Sequence, residues 1–180
     1  MKKDNTNQQR IYAFIDAQNL YSGVNKSFSY WAGRGKRKNY EGWKLDMKTF
    51  YSYLSKRFGV TKAILFMGND PKYKSMRNDF RSFGYDIILK PYIADNHGKT
   101  KGNCDAELVL HACKIEYPNY DKAIVVSGDG DFYCLIKDMI EENKLHRLLI
   151  PNEHRYSQLY KPYIVEHGVF VSRLSDILSA

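Results

Sequence analysis

Cysteine is scarce and unpatterned in this chain. Cys104, Cys113 and Cys134 show no Cys-x-x-Cys spacing, which argues against a disulfide framework, a redox motif and a structural zinc site. No apolar run approaches the ~20 residues that a membrane-crossing helix needs. The amino-terminal Met1 to Arg10 is polar, rich in Asn and Gln, and lacks the apolar stretch of a signal peptide. These ten residues are expected to be disordered, and the protein to be cytoplasmic with reduced thiols. There is no internal repeat, no linker-like segment, and no Walker A motif. At 180 residues the chain has the length of one domain, expected over residues 11–180.

The most telling stretch is Ala123-Ile124-Val125-Val126-Ser127-Gly128-Asp129-Gly130-Asp131-Phe132. Its apolar run is short, β-branched and ends in glycine, so it reads as a buried strand. Phe132, Leu135, Ile136, Met139 and Ile140 then recur at helical spacing. Asp129 and Asp131 therefore sit on a strand-to-helix turn, where ligands bind in open α/β sheets. Either Asp alone is a good helix cap. Two carboxylates so close repel each other unless a cation or donor offsets them, which suggests one capping Asp and one facing a metal. The Gly128-x-Gly130 spacing does not extend to a dinucleotide fingerprint, since Tyr133 stands where the third glycine belongs.

Near the amino terminus, Ile11-Tyr12-Ala13-Phe14-Ile15-Asp16 is a second short strand ending in an acid. Asn19 follows at the start of a helix that Leu20, Tyr21 and Val24 are expected to bury. Further helices are expected near Asp46 to Phe58, Lys72 to Phe83, Asp105 to Glu116, from the Asp129 turn to Asn143, and Tyr156 to Tyr160. Strands are expected at Lys62 to Met67, Asp86 to Leu89, Arg147 to Ile150 and Gly168 to Val171. This alternation predicts an α/β fold with a mostly parallel sheet and helices on both faces. Right-handed crossovers give the strand order 3-2-1-4-5, which makes the strands ending near Asp16 and Asp129 neighbours where the winding reverses. Asp105 opens a helix with an apolar stripe of Leu108, Ala112 and Ile115, and that helix leads straight into the Asp129 strand. Three or four carboxylates converging there would suit Mg²⁺ or Mn²⁺, hard cations that prefer oxygen ligands.

Three motifs, Phe14-Ile15-Asp16-Ala17-Gln18-Asn19-Leu20-Tyr21, Lys101-Gly102-Asn103-Cys104-Asp105-Ala106-Glu107-Leu108 and Val126-Ser127-Gly128-Asp129-Gly130-Asp131-Phe132, resemble the NYN domain family, the LabA-like branch of the PIN-like nucleases, in the family's order. The resemblance implies a three-layer, Rossmann-like PIN fold and metal-dependent cleavage of RNA phosphodiesters. It makes Asp16, Asp105 and Asp129 the metal-binding acids, with Asn19 and Asp131 in support. Such sites usually present about four acids, and the fourth is Asp131 or Glu107. Asp131 is preferred, because Glu107, two residues beyond Asp105 on a helix, points away from it. Lys101 and Lys99 would stabilise the phosphate by charge. The same fold also serves as a non-catalytic RNA-binding or regulatory module. A magnesium-dependent phosphatase is a weaker alternative, since it would want a second Asp where Gln18 stands.

A formal net charge of +8 and a pI near 9.2 suit a polyanionic partner. Arg34, Lys36, Arg37 and Lys38 crowd a glycine-bearing insertion at about residues 30–44, flanked by Tyr30, Trp31, Tyr40 and Trp43. Basic residues contact phosphates and aromatics stack bases, so RNA, single-stranded or structured, is the expected partner. Alternatively the stretch is a solvated loop. Pairing with a second copy of the chain stays open.

Overall fold

The structure, a computed structural model, describes residues 9–33, 35–91, 93–94, 100–101 and 104–180. Strand β1 (Ile11–Asp16) runs into helix α1 (Ala17–Val24), and a hairpin of β2 (Phe28–Ala32) and β3 (Lys36–Tyr40) follows. Then come α2 (Met47–Phe58), β4 (Val60–Gly68), α3 (Lys74–Ser82) and β5 (Tyr85–Lys90). Two-residue strands β6 (Ile93–Ala94) and β7 (Thr100–Lys101) pair with each other. The remainder is α4 (Asp105–Leu110), β8 (Lys122–Val126), α5 (Tyr133–Glu141), β9 (Leu145–Ile150), α6 (Lys161–His167), β10 (Gly168–Phe170) and α7 (Ser175–Leu178). Of the expected disordered tail, residues 1–8 lie outside the described residues. Arg10 is anchored, its backbone N–H and guanidinium both donating to Asp121 at 2.8 Å.

The central sheet has six strands in the order β10-β9-β8-β1-β4-β5, with every pairing parallel. The predicted 3-2-1-4-5 layout is present, and the sixth predicted strand, β10, extends it beyond β9. Side chains of β1 alternate between two apolar layers: Ile11, Ala13 and Ile15 pack with α1, α2 and α7, whereas Phe14 packs with α4 and α5. Burial on both faces is what makes β8 apolar from Ala123 to Val126. Because β1 bonds β4 on one side and β8 on the other, the crossover direction reverses between β1 and β8. The carboxyl ends of these two strands therefore form the switch point, the place where ligands bind in open α/β sheets.

Several local expectations need correction. Tyr21 is 58% exposed, because Leu20 and Val24 set the buried stripe of α1 and the next residue lies ~100° around the helix. Beyond Leu110 the helix widens into a π turn over His111–Ile115, and its altered winding brings Ile115 out to 46% exposure while Leu108 and Ala112 stay buried. The helix expected at Tyr156 to Tyr160 is a 3₁₀ turn over Gln158–Tyr160 that runs into α6. The basic insertion is an ordered antiparallel hairpin, with Tyr30 opposite Lys38 and Trp31 opposite Arg37. Its turn uses Gly33 and Gly35, both at positive φ (29° and 70°). Both ends of the hairpin are pinched against α1: the Trp43 N–H donates to the Val24 carbonyl at 3.1 Å, and Gly42 lies against the Asn25–Lys26 backbone. A Cβ at Gly42 would overlap that backbone, so Gly42→Ala is expected to cost about 2 kcal/mol, read as a lower thermal midpoint.

Candidate metal centre at the strand ends

Asp16 closes β1 and caps α1, its Oδ1 accepting the Asn19 N–H at 3.0 Å. Asn19 in turn reaches the neighbouring strand end, where its Oδ1 accepts the Gly128 N–H at 2.9 Å. Ser127 makes the second bridge, donating to Asp16 Oδ2 at 3.3 Å and accepting the Asp129 N–H at 3.2 Å. These two bridges tie the ends of β1 and β8 together. Asn19 was expected to support the site, whereas Ser127 was not singled out. Its place directly after an apolar strand was the available signal.

Asp129 caps the 3₁₀ turn Gly130–Phe132 by accepting the Asp131 N–H at 3.1 Å. A carboxylate has two oxygens, so capping with one leaves the other for a ligand; cap and ligand are not alternatives here. One carboxylate oxygen from each of Asp105, Asp129 and Asp131 lies within 4.8 Å of the others. Asp105 arrives on the first turn of α4, whose buried Leu108 docks it against the same sheet edge. Asp16 lies close enough for both Asp105 and Asp129 to act on it electrostatically. Burial, reinforced by those two negative charges, pushes its carboxyl up to about 6.

The acidic turn is braced from outside by residues 152–160. The buried Tyr160 hydroxyl donates to the Asp129 carbonyl, and the Ser157 N–H donates to the Gly128 carbonyl at 2.9 Å. Burial, with Asp129 and Asp131 adding to it, pushes the Tyr160 phenol up, so the hydroxyl remains a donor. Tyr160 was not foreseen as part of the site, since nothing in its local pattern marks a contact 31 residues away. Glu107 stands apart, paired with Lys90 at 3.3 Å.

The other expected residues are distributed unevenly. Lys36, Arg37 and Lys38 are exposed on β3. Lys101 lies in β7, paired with Ile93. Arg34 and Lys99 lie outside the described residues.

Clustered carboxylates suit a hard divalent ion: the donors are all oxygen, the separations fall within a shared coordination sphere, and positive charge would offset the cost of ionising Asp16. A hard divalent ion therefore fits the donor set, with Asp105, Asp129 and Asp131 as the residues that could hold it and Asp16 within their electrostatic reach.

A model of the NYN domain matches residues 10–160. The chain is 23% identical over 154 residues to the Low amplitude and bright protein LabA of Synechococcus elongatus, a match covering 80% of this chain and 74% of that protein. Among solved structures it is similar to a Vibrio parahaemolyticus protein of unknown function, at 26% identity and a TM-score of 0.65 over 99% of each chain.

Proposed function

We propose, since this chain belongs to the NYN domain family of PIN-like nucleases, that it is a metal-dependent ribonuclease whose Mg²⁺ or Mn²⁺ is held by Asp16, Asp105 and Asp129, with Asp131 as the fourth acid. The observation that carries this reading is the meeting of three carboxylates from α4 and the β8 turn within 4.8 Å, at the point where the sheet reverses its winding. Asp131 is favoured over Glu107 because it belongs to that group while Glu107 is paired with Lys90. Residues 11–180 then act as one NYN domain, with the hairpin as its insertion.

A divalent ion there would activate a water and neutralise charge growing on the scissile phosphate. The chain's own contribution is positioning. Asn19 and Ser127 hold the two strand ends at fixed separation, so that Asp16 and Asp129 cannot drift apart. Tyr160 and Ser157 hold the backbone of the Asp129 turn from the other side. The exposed Lys36, Arg37 and Lys38 supply positive charge to draw in and retain the RNA.

The test is incubation of labelled single-stranded RNA with the protein and Mn²⁺, beside a chelator control and an Asp16→Asn, Asp129→Asn double variant. Cleavage that needs the metal and disappears in the variant is expected. Binding without cleavage, unchanged in the variant, would overturn the reading in favour of a non-catalytic RNA-binding module.

A further inference from the structure

We infer that the β2–β3 hairpin is an arm for single-stranded RNA, on which Trp31 stacks an unpaired base beside Arg37, and that residues 152–157 hold this arm in fixed relation to the acidic turn. The inference rests on the ribonuclease reading for the identity of the polymer, and it narrows the substrate to unpaired strands.

The alternation of the strands divides the hairpin's aromatics into two groups. Phe28, Tyr30 and Tyr40 share one face, and all three are engaged by the protein. The Tyr30 ring lies on His154 with centroids 3.9 Å apart and planes 8° from parallel. Arg155 sits over Phe28 at 5.5 Å, and the Tyr40 hydroxyl donates to the Val24 carbonyl at 3.0 Å. Trp31 points to the opposite face and is 75% exposed. Its cross-strand neighbour is Arg37, with Lys36 and Lys38 on either side of that arginine. Among the described residues none of these three cations forms an ion pair. By the same alternation Lys36 and Lys38 fall on the other face, so the exposed indole is bordered by the Arg37 guanidinium, and this pair matches a ligand that offers both a flat apolar face and negative charge. An unpaired nucleotide offers both, whereas a duplex hides its base faces and offers only phosphates.

The link to the site is a six-residue path. Asn152, fully buried, donates through Nδ2 to the Gly23 carbonyl at 2.8 Å and accepts the His154 N–H at 2.9 Å. His154 and Arg155 meet the hairpin's inner face. The following residues, Tyr156 and Ser157, pack over Gly128 and Gly130 of the acidic turn. The inner aromatics thus dock the arm, and Trp31 is left for the substrate.

The experiment uses a 12-mer of oligouridine in excess chelator, so that binding is read without cleavage, with a 12-base-pair RNA duplex as comparison. Tryptophan emission should fall as oligouridine is added. Trp31→Phe should abolish most of that quenching yet keep the affinity, measured by anisotropy of a labelled oligomer, within about threefold, because the ring remains. Trp31→Ala and Arg37→Gln should each weaken oligouridine at least about fivefold, while Trp31→Ala leaves the duplex unchanged. Quenching that persists in Trp31→Phe, oligouridine affinity unchanged in Trp31→Ala, or an equal loss for the duplex would overturn the inference. So would a dimer that Trp31→Ala converts to monomer with oligouridine binding intact, which would assign the patch to a second copy of the chain. Metal-dependent cleavage without Trp31 dependence sinks the arm alone; Trp31-dependent binding without cleavage sinks the ribonuclease reading alone.

Discussion

Asp16→Asn is expected to melt several degrees above the unmodified protein at pH 7.5 in the presence of a chelator. Burial and the charges of Asp105 and Asp129 raise this carboxyl to about 6, against 3.8 for the free side chain. The folded state therefore binds the proton more tightly than the unfolded state does. The favourable contribution of the protonated group is complete below about pH 3.8 and is lost as the pH rises through about 6. At pH 7.5 the buried charge costs on the order of 2 kcal/mol, or roughly 5 °C in a domain of this size. Asn can keep the geometry, since its carbonyl can accept the Asn19 N–H and its amide can meet Ser127, as the Asp16 oxygens do now. Differential scanning calorimetry at pH 7.5 and 4.5 checks this, and the advantage of the variant should shrink at the lower pH. A variant that melts lower at pH 7.5 would mean that the hydrogen bonds to Asp16 outweigh its desolvation. A group that weakens the fold in this way has its rationale in the cation it would hold.

Asp129→Asn is expected to lower metal-dependent RNA cleavage at least about hundredfold, with little change in the melting of the metal-free protein. Asn is as good an N-cap as Asp, so the Asp131 N–H keeps its acceptor, and the Tyr160 bond survives because it goes to the backbone carbonyl. Charge, rather than structure, is what the substitution removes. Glu107→Gln is the matched control: it breaks the pairing with Lys90 at 3.3 Å and should leave cleavage within about threefold, as for a group engaged in an ion pair of its own. Initial rates on a labelled RNA at saturating Mn²⁺ separate the two. A comparable loss in both variants would move the fourth acid from Asp131 to Glu107.

The architecture was legible because its signals are local and strong. Ile11 to Ile15 and Ala123 to Val126 are short apolar runs closed by polar turns, and the alternation of strands and helices leaves few ways to wind a parallel sheet. Asp16, Asp105, Asp129 and Asp131 could be picked out for the same reason: each stands where an apolar element meets a polar turn. The hairpin was harder to see, because Lys36, Arg37 and Lys38 look like a solvated loop. The usable signal was the Gly33-x-Gly35 turn between two five-residue runs. Its second strand is ordered by cross-strand pairing and by docking of Tyr30 onto His154, a contact 124 residues away in sequence. The braces on the site were hidden in the same manner. Ser127, Ser157 and Tyr160 act through backbone atoms of the acidic turn, and backbone partners leave no pattern in a sequence. The π turn at His111–Ile115 shifts the helical phase without any glycine or proline to announce it, which is why Ile115 was misplaced.

The most direct test of the account is a Mn²⁺ titration of the purified protein, following the paramagnetic resonance of the free ion, with Asp129→Asn titrated in parallel. Uptake of Mn²⁺ by the unmodified chain, weakened at least about tenfold in the variant, is the predicted result. Superimposable titrations of the two proteins, or no uptake by either, would contradict a metal centre at these strand ends.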